Sequence, residues 1–228
     1  MALPRLNDTP KYSMVIPSTG KKIRYRPYLV KEEKVLMLAN ESGNLESIVN
    51  AMVEAVVSCC TPKLDPRFLT TFDMEYMFMQ IRAVSVGESS DILLTCPHCE
   101  TDNDITVNVK EAYCKEVEKN PKVKISKDVS LEMKYPSYSD FDFDNENIVE
   151  EFLFNSISAV CTKEERFPLA EETSEEIRAF LDSLTSDQLK SIDDFISEMP
   201  VVTKEVNFKC GQCNEEQEHK LQGIRSFF

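Results

Sequence analysis

Apolar positions alternate near the start of the chain, recur every three or four residues through its middle, and alternate again toward its end. Tyr12, Met14 and Ile16 alternate, Pro17-Ser18-Thr19-Gly20 supplies turn residues, and Ile23 and Tyr25 resume the alternation, so residues 11–29 read as a β-hairpin. Its opposite face carries Lys22, Arg24 and Arg26, a basic patch that suits either a solvated edge or the docking of an acidic surface. Two helices follow, separated at Glu41-Ser42-Gly43-Asn44. In the second, Leu45, Ile48, Val49, Met52, Val53, Val56 and Val57 form one stripe. A third helix spans Phe72 to Val84, with Met74, Met77, Phe78 and Ile81 on its apolar side and Gly87 placed to cap it. Helical spacing makes these methionines core filler before it makes them an adaptable binding groove.

The pattern then changes period. Ile92 and Leu94 precede a turn, and Ile105, Val107 and Val109 alternate after it, which predicts strand, turn and strand over 91–109. A Lys- and Glu-rich stretch over 110–128 reads as a solvent-facing connection, and Val129, Leu131 and Met133 predict a further strand before Pro136. Ile148, Val149, Phe152, Leu153, Ile157 and Val160 predict a helix ending near Cys161. Two capping boxes, Thr173-x-x-Glu176 and Thr185-x-x-Gln188, open two consecutive helices, and Pro200 ends the second. Val206 and Phe208 lead into a last turn, and Lys220, Leu221 and Ile224 lead out of it toward Phe227-Phe228.

Both turns in the two alternating regions are CxxC sequences, Cys96-Pro97-His98-Cys99 and Cys210-Gly211-Gln212-Cys213. Cysteines two apart on a tight turn reach one ion, and two such turns supply the four thiolates of a closed structural zinc site. Cys96, Cys99, Cys210 and Cys213 are therefore the candidate metal ligands, with zinc ahead of iron. Closing such a site contributes on the order of 10 kcal/mol of metal-linked folding energy. His98 and His219, the only histidines, lie beside the pairs and read as bystanders. Cys-Pro-His-Cys is also the dithiol of strongly oxidising thioredoxin-like enzymes, but that chemistry needs the first thiol at a helix N-terminus, and Glu100 to Val109 favours turn and strand.

Other motifs are weaker. Asp140, Asp142, Asp144 and Glu151 occupy acidic positions of a calcium loop, yet Asn145 stands where that loop needs glycine; an acidic start to the helix beginning near Glu146 is the better reading. Gly20-Lys21 lacks the earlier glycine of a phosphate-binding loop, and no hydrolase motif is present, so no catalytic constellation is indicated.

Composition narrows the partners. Forty acidic against 26 basic residues in 228 give a net charge of −14, which disfavours attraction to nucleic acid or an anionic membrane and points to protein partners. No apolar run approaches a membrane span, and the first residues lack a secretory hydrophobic segment, so the expected compartment is cytosol. There, cysteines are thiols or metal ligands rather than disulfides. Cys59, Cys60, Cys114 and Cys161 show no paired spacing; Cys59, Cys60 and Cys161 end apolar helical patterns and read as buried free thiols.

Taken in order, Pro17-Ser18-Thr19-Gly20-Lys21, Glu32-Glu33-Lys34, Phe72-Asp73-x-Glu75-Tyr76, Ser85-Val86-Gly87-Glu88 before the first CxxC, and the second CxxC near an aromatic end resemble the baseplate-hub protein family of T-even-type tailed bacteriophages. The resemblance runs from about residue 11 to 228, with no recognisable motif over 110–146. It implies a non-enzymatic protein that builds the hub of a contractile-tail baseplate, as a resident subunit or as a departing chaperone. Its partners would be other hub or tail proteins, and its place the host cytoplasm during assembly or the virion tail. Two other readings stay open: a zinc-ribbon module that binds nucleic acid or a polymerase, and a dithiol oxidoreductase. The expected fold is α+β, an N-terminal β-hairpin and helical body over 1–90 and a split zinc ribbon over 91–228. The ribbon's halves are 91–110 and 203–228, with a helical insertion between them, all in one intertwined unit.

Overall fold

The computed structural model describes residues 9–143 and 148–227 and has an α+β fold. Two compact units are present: the first takes the chain up to Glu116 and again from Pro200, and the second is Val117–Met199.

In the first unit, β1 (Tyr12–Val15) and β2 (Lys22–Tyr25) form the expected antiparallel hairpin, closed where Gly20 supplies a φ of +68°. Alternation turns Met14, Ile16, Ile23 and Tyr25 inward, and all four are buried. Helix α1 (Val30–Ser42) begins where the Glu32 carboxylate accepts the Leu29 amide at 2.8 Å and ends at Gly43, φ +65°. Asn44 caps α2 (Leu45–Cys59) by accepting the Ser47 amide at 2.7 Å, and β3 (Cys60–Thr61) then joins β2, giving the sheet order β1-β2-β3. The basic patch is smaller than expected. Arg26 is drawn into an ion pair with Glu32 at 2.9 Å and a hydrogen bond to the Ser58 carbonyl, leaving Lys22 and Arg24 exposed.

Helix α3 (Thr71–Val86) carries the expected Met74, Met77 and Ile81 inward, but Met79, Gln80 and Ala83 are buried as well. A helix buried on most sides has no single stripe to read. Its second buried side packs on β4 (Ser89–Thr95), β5 (Asp102–Asn108) and the end of the chain, through Ile92, Leu94, Val107 and Phe227. Polar cross-links fix it further. Asp73, fully buried, accepts the Ser18 amide at 2.9 Å, the Ser18 hydroxyl and the Thr70 amide at 3.0 Å. Glu75 accepts the Ile224 amide at 3.3 Å, and the Ser85 hydroxyl accepts the Tyr28 amide at 3.0 Å.

The stretch expected to be a solvated connection instead supplies two strands, β6 (Tyr113–Cys114) and β7 (Lys122–Lys124), and buries Ala112. Their short length, and the exposed lysines of β7, hide the pattern. β8 (Ser130–Met133) opens a hairpin with β7. The helix predicted to reach Cys161 stops early: α4 (Ile148–Asn155) ends, and β9 (Ile157–Cys161) begins two residues later. A short apolar run fits either period, and antiparallel pairing with β8 settles it for strand. β10 (Arg166–Pro168) completes a sheet ordered β10-β9-β8-β7. Both capping boxes form, at the starts of α5 (Ser174–Asp182) and α6 (Ser186–Ser197). Leu131, Met133, Ile157 and Ile192 make the core of this second unit, which is sheet and helix rather than helix alone.

The acidic loop residues serve local backbone. Asp140 accepts the Ser137 amide at 2.8 Å and Glu151 accepts the Asp142 amide at 2.9 Å; Asp144, Asn145 and Glu146 lie outside the described residues.

The chain returns as β11 (Val202–Lys209) and β12 (Glu216–Gln222), in a sheet ordered β12-β11-β6. Val202 pairs with Cys114 and Thr203 with Tyr113. Phe227 is fully buried, and its carbonyl accepts the Ser90 hydroxyl at 2.7 Å; Phe228 lies outside the described residues. No helix among the described residues is long and apolar enough to cross a membrane.

Candidate metal centre

The two CxxC turns are the tips of the β4–β5 and β11–β12 hairpins, and they share one backbone design. The Cys96 amide donates to the Thr101 carbonyl at 2.9 Å and the Glu100 amide to the Cys96 carbonyl at 2.9 Å. In the second turn the Cys210 amide donates to Glu215 at 2.9 Å and the Asn214 amide to Cys210 at 3.0 Å. The residue after each second cysteine takes a left-handed conformation, φ 57° at Glu100 and 60° at Asn214. That reversal lets both cysteines of a turn aim to one side.

The four sulfur atoms lie within 4.8 Å of one another. Cys96 Sγ is 3.8 Å from Cys213 Sγ, and Cys99 Sγ is 3.6 Å from Cys210 Sγ. Four sulfurs held about 2.3 Å from a central ion at tetrahedral angles stand about 3.8 Å apart, so both distances match an edge of that tetrahedron. They are far longer than the roughly 2.05 Å of a disulfide, and all eight cysteines are free. Cys96 and Cys210 are buried, Cys99 and Cys213 half-buried.

Local donors favour thiolate at two of the four. Hydrogen bonds from the Cys213 and Gln212 amides bring the Cys210 thiol down to about 6. The hydroxyl and amide of Thr101 lower Cys99. At Cys213 the hydrogen bond from the Glu215 amide is outweighed by burial and by the thiols of Cys99, Cys210 and Cys96, which hold it up at about 12. Crowded thiols resist collective ionisation unless a cation stands among them. Donor type, number and spacing thus fit a four-coordinate thiophilic ion.

Asn103 is the residue that sequence reading missed. Its Oδ1 accepts the Gly211 amide at 2.9 Å, while its Nδ2 donates to the Thr101 carbonyl at 2.9 Å and lies 3.7 Å from Cys210 Sγ. One side chain therefore ties the two turns together. A signal was available: Asn103 opposes Leu94 on the inward face of β5, where Ile105 and Val107 are apolar, so an amide there breaks the alternation.

Neither histidine joins the group, since His98 and His219 are both exposed. Among the described residues the four thiols are the one group of three or more His, Cys, Asp or Glu side chains placed to share an ion. No helix begins at Cys96, which removes the dipole a redox dithiol would use. Burial raises the other thiols, Cys59 to about 11 and Cys60 and Cys114 to about 12. Cys161 is half-buried at a strand end rather than buried at a helix end. The rims of both turns are acidic, with Glu100, Asp102, Asp104, Glu215, Glu216 and Glu218 exposed.

Comparison with known proteins agrees with the order of motifs. A family model described as T4 bacteriophage base plate protein matches residues 9–228. The baseplate hub assembly protein gp26 of Enterobacteria phage T4 is 22% identical over 218 residues, spanning 96% of this chain and 98% of that protein. No solved structure matches. With the match running through both hairpins and the segment between them, the chain belongs to the T4 bacteriophage base plate protein family.

Proposed function

We propose that this protein is a non-enzymatic assembly factor of a contractile-tail baseplate hub, acting through contacts with other hub or tail proteins in the host cytoplasm. The observation that carries this is the family match over 9–228, joined by full-length similarity to a protein named for hub assembly. An acidic surface, with net charge −14, suits protein rather than nucleic-acid partners. The acidic rims of both turns count against the nucleic-acid reading of the ribbon, and their strand setting counts against redox catalysis.

Within this reading, Cys96, Cys99, Cys210 and Cys213 hold a structural zinc ion, and the two hairpins form a split zinc ribbon. The matched sulfur spacings support it. The N-terminal hairpin and helices over 1–90, with ribbon halves at 91–110 and 203–228, then form one intertwined body. The ion ties strands on either side of the excursion.

The test is a tagged copy expressed during phage infection. Co-purification with hub proteins from infected cells, together with absence from finished tails, identifies a departing chaperone; presence in finished tails identifies a resident subunit. Co-purification with neither hub nor tail proteins would refute the assignment. Elemental analysis of the purified protein, expected to give one zinc per chain, tests the site separately.

A further inference from the structure

We propose that the β1–β2 hairpin receives an extended acidic segment of another protein, added as a strand along the free edge of β1. The inference stands on charge and edge geometry and does not rest on the baseplate reading.

Charge is distributed unevenly. Residues 9–31 hold six basic side chains and no acidic one, in a chain whose net charge is −14. Two of the six are occupied, because Arg26 and Lys31 both pair with Glu32. The other four, Lys11, Lys21, Lys22 and Arg24, are exposed and make no ion pair among the described residues. Charged side chains guard sheet edges against aggregation, but four exposed cations with no acidic residue between positions 9 and 31 also give this hairpin a preference of sign.

Among the described residues the edge itself is unpaired. β1 is the outer strand of its sheet. The Ile16 amide bonds to the Lys21 carbonyl, so the closely bonded pairs of the hairpin are Met14 with Ile23 and Tyr12 with Tyr25. By the alternation of an antiparallel ladder, the N–H and C=O groups of Ser13 and Val15 point away from β2. Those residues sit opposite Arg24 and Lys22, so every second side chain of an added strand emerges on the cationic face. Beside this edge a groove of ≈ 1130 Å³ crosses the three strands of the sheet, lined by Lys11, Ser13, Lys22 and Arg24 and reaching Thr61 and Pro62. Val15, 48% exposed at the edge, offers apolar contact between the charges. Main-chain bonds would supply affinity and the cations would choose the sign of the segment.

The test uses the full-length protein and a fluorescein-labelled octapeptide of alternating Glu and Val, followed by anisotropy. An alternating Lys-Val octapeptide and a single-stranded oligothymidylate serve as comparison probes. The Glu-Val peptide should bind, weaken with added salt, and lose about tenfold in affinity when Lys22→Glu and Arg24→Glu are combined. Val15→Pro removes an outward amide without touching the β1–β2 ladder, and it should weaken binding similarly. Circular dichroism checks folding, and the milder Lys22→Gln with Arg24→Gln pair replaces the reversal if that misfolds. No binding of the Glu-Val peptide, or binding indifferent to the charge changes, overturns the proposal. Indifference to Val15→Pro overturns strand addition. Tighter binding of the oligothymidylate would identify nucleic acid as the occupant, and charge-dependent self-association in sedimentation would identify a second copy; either result overturns the proposal as stated. None of these outcomes alters what co-purification with hub proteins reports.

Discussion

Replacing Asn103 by alanine tests whether the two cysteine turns act as one site. The side chain accepts the Gly211 amide at 2.9 Å and donates to the Thr101 carbonyl at 2.9 Å, bridging residues 108 apart in sequence. Each such bond contributes about 1 kcal/mol net, so the two together contribute about 2 kcal/mol. Gly211 is exposed, and water can take its amide in the variant, which brings the loss nearer 1.4 kcal/mol, or about tenfold. That lies at the lower end of the roughly 10- to 100-fold commonly lost with a supporting partner of a metal ligand. The assay is zinc competition against a chromogenic chelator, with thermal unfolding measured in zinc and in excess chelator. Asn103→Ala should bind zinc about tenfold more weakly and unfold earlier in zinc. Asn103→Asp keeps the acceptor for Gly211 but places a carboxylate near Cys210, and it should bind more weakly still. Wild-type zinc affinity in both variants would refute the reasoning.

Three further outcomes follow from buried polar groups and thiols. Asp73→Ala removes a fully buried acceptor from three donors on half-buried Ser18 and Thr70, at a cost of about 2–4 kcal/mol, read as a lower urea midpoint; a change below about 1 kcal/mol would contradict the hydrogen-bond account. Burial alone would raise the Glu32 carboxyl, but hydrogen bonds from Arg26, the Leu29 amide and Lys31 outweigh it and hold the group below its ordinary 4.5. A lowered carboxylate contributes stability above its unfolded value and loses it as pH falls through the folded one. The gap in melting temperature between wild type and Glu32→Gln should therefore be steady from about pH 7 to 5 and close below about 4.5; a gap independent of pH would count against the pair. In the zinc-loaded protein at about pH 8, iodoacetamide should spare Cys59, Cys60 and Cys114, whose thiols burial raises to about 11, 12 and 12, and chelation should expose Cys96, Cys99, Cys210 and Cys213 to labelling. Equal labelling before and after chelation would exclude a metal-held site.

Much of this was legible because single residues carried strong local signals. Gly43 and Asn44 divide α1 from α2, and Thr173 and Thr185 open α5 and α6 with side-chain caps that need no tertiary context. The CxxC turns revealed the four cysteines for the same reason. Where the structure depends on distant partners, reading failed. β6 is two residues long and exists because β11 lies beside it, and no local pattern announces that pairing. Ile157 to Cys161 continues a helical spacing by coincidence of its apolar residues and becomes strand because β8 and β10 flank it. Met79 and Ala83 fall off the apolar stripe of α3 because a second layer covers that side. Several motif residues that looked characteristic, Ser18 with Asp73 and Glu75 near Ile224, turn out to be the cross-links of the first unit.

The distance along the chain between the two cysteine turns has a consequence in time. Cys99 and Cys210 are 111 residues apart, and Cys96 and Cys213 are 117 apart. At roughly 5–20 residues per second, a ribosome needs on the order of ten seconds to pass from one turn to the other. Through that interval only two of the four clustered thiols have been made, and β4 and β5 lack Phe227, which later packs into their core. Maturation of the first unit therefore waits on translation of its final strands, and a ribosome stalled before Cys210 would display β4 and β5 without the strands and Phe227 that cover them, a ready substrate for proteolysis.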